Sequence, residues 1–252
     1  MASTACRHPA CSIVQLLTPT EGWRCRPRRL AVLLLLLTVS AVGAEHEHRA
    51  PVVLAPGYSD LAFDPPPAGS YRLPPLGDAV DGEVVASDGS LLRLHELLGQ
   101  GPVLLSFIYT SCSDVNGCPL ATHVLAKTTS VLKENDTIAE QVRLISLSFD
   151  PDHDSPAVMR RYGAPFTDRG LDWRFLTTPG HAELDPILQG YDQWVIRDRD
   201  ESGRPLGTMS HLLRVYLIDA DKRIRNIYSV SFLHADTLAN DVRTLLMETD
   251  GG

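Results

Sequence analysis

The chain has 252 residues, 44% hydrophobic and 21% charged, with a formal net charge of −8. That apolar share builds a packed core and excludes a long, highly charged disordered chain, while the length allows one or two domains. An acidic balance argues against nucleic acid or anionic lipid as a partner.

Arg24, Arg26, Arg28 and Arg29 precede an apolar run, Leu30 to Val42, that closes in Ala41-Val42-Gly43-Ala44. A basic segment, a short apolar run and a small-residue end form the pattern of a secretory signal. The run is shorter than the roughly 20 residues that a spanning helix prefers. Residues 1–44 are therefore read as a signal peptide, or as an uncleaved membrane anchor. Both place residue 45 onward outside the cytoplasm, in a periplasm or on the outer face of the cytoplasmic membrane. Cys6, Cys11 and Cys25 fall in this leader, so the exported part keeps only Cys112 and Cys118.

Residues 45–75 hold seven prolines, which break regular structure, and read as an extended, weakly packed tether. The folded domain is expected over 76–250. Val84-Val85-Ala86 before Ser87-Asp88-Gly89 reads as a strand entering a turn, and Leu91 to Leu98 as a short strand with one helical turn. Val103 to Tyr109 is an almost continuous apolar run, the pattern of a strand buried on both faces. A helix follows from Pro119 to about Glu134, since proline is suited to a first helical turn. Val142 to Phe149 is a second buried strand. Ser155 and Pro156 supply an N-cap and a first-turn proline for a helix to about Tyr162. Trp173 to Leu176 is a strand and His181 to Tyr191 a helix. A hairpin spans Leu212 to Ile218 and Arg223 to Val230, and an amphipathic helix covers 235–248. This order predicts an α/β sandwich whose mixed central β-sheet is parallel in the middle and antiparallel at one edge.

Cys112 falls just past the end of the first buried strand, and Cys118 just before a helix. Strand C-termini are where open α/β sheets bind ligands. Helix N-termini stabilise a thiolate, the form that binds metal or attacks disulfides. The pair is therefore expected to be reactive. Asn116-Gly117 is a turn signal that folds the intervening loop back and brings the sulfurs together. Asp114 in the same loop is expected to raise a nearby thiol pKa. A purely structural disulfide across so short a loop would restrict the unfolded chain little.

Phe107-Ile108-Tyr109-Thr110-Ser111-Cys112 with Cys118-Pro119 resembles the active-site segment of the Sco/SenC family. Ser148-Phe149-Asp150-Pro151 with Asp154-Ser155-Pro156 is similar to that family's next strand and helix start, and Trp173 to Thr177 to its following strand. Ser210-His211 before Val215 to Asp219 resembles its metal-histidine segment. The resemblance implies a thioredoxin-like fold and an extracytoplasmic copper chaperone, linked to assembly of a recipient cuproprotein such as cytochrome c oxidase. It implies copper ligation by Cys112, Cys118 and His211, a donor set that suits Cu(I) through its thiolates and accommodates Cu(II) through its imidazole. The family usually has three residues between the cysteines; this chain has five. The alternative is a thiol–disulfide oxidoreductase that uses Cys112 and Cys118 as a redox pair, and a third reading is a non-catalytic interaction domain.

Three smaller expectations accompany these. Asp150 is a candidate to orient His211 or a cysteine. His153, between Asp152 and Asp154, is expected to favour its charged form. Cleavage after Gly43 would expose Ala44-Glu45-His46, a terminus able to ring Cu(II) with nitrogens.

Overall fold

The computed structural model describes Tyr58, residues 61–167 and residues 170–250. The leader and the Ala44–His46 terminus lie outside the described residues. Among those described, no helix is long and apolar enough to cross a membrane.

The described residues form ten strands and five α-helices. They are β1 (Gly77–Asp78), β2 (Glu83–Ala86), β3 (Leu91–Arg93), β4 (Val103–Ile108), α1 (Cys118–Leu132), α2 (Asp136–Gln141), β5 (Arg143–Ser148) and α3 (Pro156–Gly163). There follow β6 (Asp172–Thr177), α4 (His181–Gly190), β7 (Val195–Arg199), β8 (Pro205–His211), β9 (Arg214–Ile218), β10 (Arg223–Ser229) and α5 (Ala235–Asp250). Eight strands form one sheet in the order β1-β10-β9-β4-β5-β6-β2-β3, while β7 and β8 pair only with each other. The parallel centre is β4-β5-β6, with Ser106 opposite Ser146 and Ser146 opposite Phe175.

Antiparallel strands flank that centre on both sides rather than on one. The hairpin β9–β10 adds to β4, and the hairpin β2–β3 adds to the far side of β6. Strand β2 returns from the N-terminal segment to pair with a strand nearly 90 residues later, a long-range choice that local pattern does not encode. Together with the helices on its faces, this mixed sheet is the thioredoxin-like sandwich.

Every residue of β4 is buried, and so is most of β5, because helices cover both faces. The face carrying Ser106 and Phe175 meets α1, α3 and α5. The opposite face, with Phe107 tilted against Tyr191 and edge-on to Tyr216, meets α4. Helix α3 begins as its sequence indicates: Ser155 is the N-cap, its hydroxyl accepting from the Val158 N–H, and Pro156 follows.

Two features were not legible locally. Residues 66–75, expected to pack weakly, lie along α5. The Gly69 N–H donates to Thr244 Oγ1 at 3.0 Å, Asn240 donates to the Pro66 carbonyl, and the Tyr71 hydroxyl donates to the buried Asp241 at 2.5 Å. The second is the hairpin β7–β8, in which β7 carries Arg197, Asp198 and Arg199 and β8 opens on Pro205 and contains Gly207, so neither reads as a strand. It ends at His211.

Candidate functional site

The site lies at the C-terminal ends of β4 and β5, where the chain leaves the sheet and backbone groups become free to bind. After Ile108 the chain turns at once, with the Cys112 N–H donating to the Tyr109 carbonyl at 3.2 Å. A second turn closes the loop: Gly117 N–H donates to the Asp114 carbonyl at 2.9 Å, and Asn116 N–H to the Asp114 carboxylate at 3.0 Å. The expected fold-back at Asn116-Gly117 is therefore present. A Cβ on Gly117 would stand 3.3 Å from Cys112 Sγ and 3.2 Å from the Asp114 carbonyl oxygen. Glycine thus lets the sulfur approach the helix start.

Cys118 is the first residue of α1 and only 1% exposed, whereas Cys112 is half-buried. Both are free thiols, and each is the strongest influence on the other's titration. The Tyr109 N–H points at Cys118 Sγ at 3.4 Å. His211, the last residue of β8 rather than a loop residue, brings Nε2 to 3.5 Å from Cys118 Sγ. Its ring rests 4.9 Å from that of Phe149 and edge-on to that of Tyr109 at 5.9 Å. The structure thus gathers Cys112, Cys118 and His211 at one place. Among the described residues, no three His, Cys, Asp or Glu side chains are already converged as a metal cage.

The two thiols share protons unequally. The hydrogen bond with Cys118 is the main cause that brings the Cys112 pKa down, to about 5, with backbone help from Cys118 and Asp114 outweighing desolvation. The same hydrogen bond, then burial and the Cys112 charge, drive the Cys118 pKa up. The half-exposed sulfur is therefore the thiolate and the buried one the thiol, because water solvates the charge better at Cys112. Asp114 does not raise the thiol as expected: its carboxylate is turned to the Asn116 N–H, and its backbone favours the thiolate.

Asp150 also departs from expectation. It touches neither cysteine nor His211. One oxygen accepts from His153 Nδ1 at 2.9 Å and the other faces Arg197 of β7 at 3.5 Å. His153 is exposed, and that contact raises its pKa, so the charged form is favoured as its acidic neighbours indicate. The carboxylate that supports the site is Asp154. It is buried and accepts from the Thr110 N–H at 3.0 Å, from the Thr110 hydroxyl, and from the Ser148 hydroxyl at 2.5 Å. It ties the cysteine loop to the end of β5. Sequence reading placed Asp154 only in a helix-start motif; the polar Thr110 at the end of an apolar run was the available signal.

Comparison with known proteins bears on this geometry. The family model described as SCO1/SenC matches residues 81–247. A SCO1 protein homolog of Bacillus subtilis (strain 168) is 26% identical over 159 residues, covering 62% of this chain and 77% of that protein. The crystal structure of Arabidopsis thaliana ScoI with copper bound is similar at a TM-score of 0.57 and 21% identity, over 68% of this chain and 98% of that one. Bradyrhizobium japonicum ScoI with copper bound gives a TM-score of 0.55 at 23% identity, over 67% of this chain and 99% of that one. Likenesses this remote in sequence establish a shared fold.

Proposed function

The chain belongs to the SCO1/SenC family, and on that premise we propose that it is an extracytoplasmic copper chaperone that loads a recipient cuproprotein. Copper is its cargo, held by Cys112, Cys118 and His211. The observation that carries the reading is the meeting of the cysteine pair with a histidine 93 positions further along the chain, with Cys118 Sγ 3.5 Å from His211 Nε2 and Cys112 beside Cys118 on one wall. Two sulfurs and an imidazole are soft to borderline donors, which suit Cu(I) and admit Cu(II). The solved relatives with copper bound support the same cargo. The five-residue spacing is compatible with it, because the loop turns twice and returns Cys112 to the head of α1.

Accessibility assigns the roles. Cys118 is the inner anchor, and Cys112 is the ligand that an acceptor can reach and replace. The family resemblance points to cytochrome c oxidase as the class of recipient, and the apolar leader to a membrane-tethered or periplasmic setting. The deciding experiment is metal analysis of the reduced exported chain with Cu(I) and Cu(II). One copper per chain is expected, lost in Cys112→Ser for both ions and in His211→Ala for Cu(II) while Cu(I) stays. Equal copper content in all three proteins would overturn the ligand set.

One observation favours a second reading. A half-exposed thiolate beside a buried thiol is also the arrangement of an attacking and a resolving cysteine in disulfide exchange. Reduction of a disulfide substrate that is indifferent to His211→Ala, in a chain that retains no copper, would put this reading first.

A further inference from the structure

Beside the thiols lies a hollow of about 210 Å³ between the cysteine loop and the end of α3, walled by Cys112, Cys118, Pro119, Thr122, Tyr162 and Phe166 among others. Its wall calls for no polar ligand. The Thr122 hydroxyl donates to the Cys118 carbonyl at 3.0 Å and pairs with the Tyr162 hydroxyl at 2.7 Å. What remains facing the hollow is mostly apolar, and Tyr109, Thr110 and the two thiols complete the wall. The aromatic side is rigid, because the Phe166 ring packs 5.1 Å from Trp173 and the Tyr162 ring 6.0 Å from Phe175. Of the two thiols on the wall, Cys112 is half-exposed and Cys118 is buried.

The hollow is smaller than the roughly 300–1,000 Å³ typical of free small-molecule sites. Its size suits about one large apolar side chain. A polypeptide that inserts such a side chain there brings the residues next to it onto Cys112. We propose that this hollow is the specificity pocket for the acceptor: it takes a leucine-, methionine- or phenylalanine-like side chain flanking the acceptor cysteine that receives copper from, or exchanges disulfide with, Cys112. The inference rests on reading Cys112 as the outward-acting thiol, and it names the chemistry of the partner segment.

Synthetic peptides in which one cysteine is disulfide-linked to 2-nitro-5-thiobenzoate test it without copper. Cys112 thiolate attacks the peptide sulfur, a Cys112–peptide disulfide forms, the peptide–thiobenzoate bond breaks, and the coloured thiobenzoate thiolate leaves with the electron pair. The reduced, metal-free exported chain is mixed with peptides that differ only in the flanking residue, leucine, phenylalanine or serine, at one fixed pH. The leucine and phenylalanine peptides are expected to react about tenfold faster than the serine peptide, as partial burial of one apolar side chain predicts. Phe166→Ala should reduce that preference to about twofold or less, with the rate toward small, polar iodoacetamide unchanged. Wild-type rates that do not depend on the flanking residue would overturn the pocket, whatever the variant does. Peptide preference in a chain that binds no copper would overturn the copper reading and leave the pocket standing. Copper binding without peptide preference would do the reverse.

Discussion

At the scale of single residues, Cys112 and Cys118 are chemically alike and placed in different dielectric surroundings, and that difference sets their chemistry. A thiol pKa below its ordinary value means that thiolate is present above the lowered pKa and lost as the pH falls through it. In reduced, metal-free protein, alkylation of Cys112 should hold near its plateau from about pH 8 to about pH 6 and fall only toward about pH 5. Cys118→Ala removes the main hydrogen-bond donor, so the Cys112 pKa should climb back toward about 8.5 and the rate at about pH 6 should drop at least about tenfold. A pH profile identical in the two proteins would show that Cys118 does not support the thiolate. Gly117→Ala is the second residue-scale test. Its new methyl presses on Cys112 Sγ and the Asp114 carbonyl, so the cysteine loop must shift by a few tenths of an ångström. Copper affinity should weaken by about tenfold or more, and stability should fall by about 1 kcal/mol, the usual cost of a point substitution, since Gly117 is buried at the head of α1. Titration against a Cu(I) competitor and a denaturant curve measure the two separately.

At the scale of elements, the site depends on how α3 and the β7–β8 hairpin are seated. Gly163 closes α3, and a Cβ there would overlap the Phe175 ring on β6. Gly163→Ala should therefore lift the helix end from the sheet, at a cost of about 1–3 kcal/mol. It should also blunt the peptide preference, because Phe166 follows directly. Denaturant unfolding and the peptide assay read the two effects. The hairpin bonds to no other strand, so side chains hold it. Arg197 faces Asp150 and Asp152 at 3.5 Å and His181 at 3.0 Å. Removing Arg197 should loosen the hairpin that carries His211. In Arg197→Gln, amide hydrogen exchange over 205–211 should rise several-fold, with exchange in β4 and β5 unchanged. These elements also mark the limit of sequence reading. α3 was legible because Ser155-Pro156 is a local signal that the structure merely obeys. The hairpin was not, because its charged residues find their partners only once the chain has folded: Arg197 meets Asp150, Asp198 accepts from the Thr208 and Ser210 hydroxyls, and Asp200 accepts from Arg204.

At the scale of the whole molecule, the N-terminal strap joins the far side of the sheet to the last helix. Asp241 on α5 is buried and accepts from Tyr71 at 2.5 Å, Tyr228 at 2.6 Å and Asn226 at 2.9 Å. One carboxylate thus fastens the strap, β10 and α5 together. Tyr71→Phe should cost about 1.5–3 kcal/mol of global stability, as expected for one hydrogen bond to a charged group. Tyr228→Phe should cost at least as much, because its hydroxyl leaves Asp241 short of a partner deeper in the core. Thermal or denaturant unfolding of both variants tests this. A Tyr71→Phe protein as stable as wild type would mean that the strap only lies on the surface.

The sequence by itself determined the buried strands β4 and β5, the helix starts at Pro119 and Ser155, the closing helix, and two cysteines at a strand end and a helix start. Each of these is written in neighbouring residues: apolar runs, caps and turn pairs act over a few positions. Only the tertiary structure decided that β2 pairs with β6, that the strap lies on α5, and that Asp154 rather than Asp150 braces the cysteine loop. The family resemblance already joined His211 to the cysteines, but the fold is what carries it to Cys118 across 93 positions and makes Cys112 the thiolate. These depend on which distant groups meet and on how much water each retains, and both are properties of the packed chain rather than of any stretch of it.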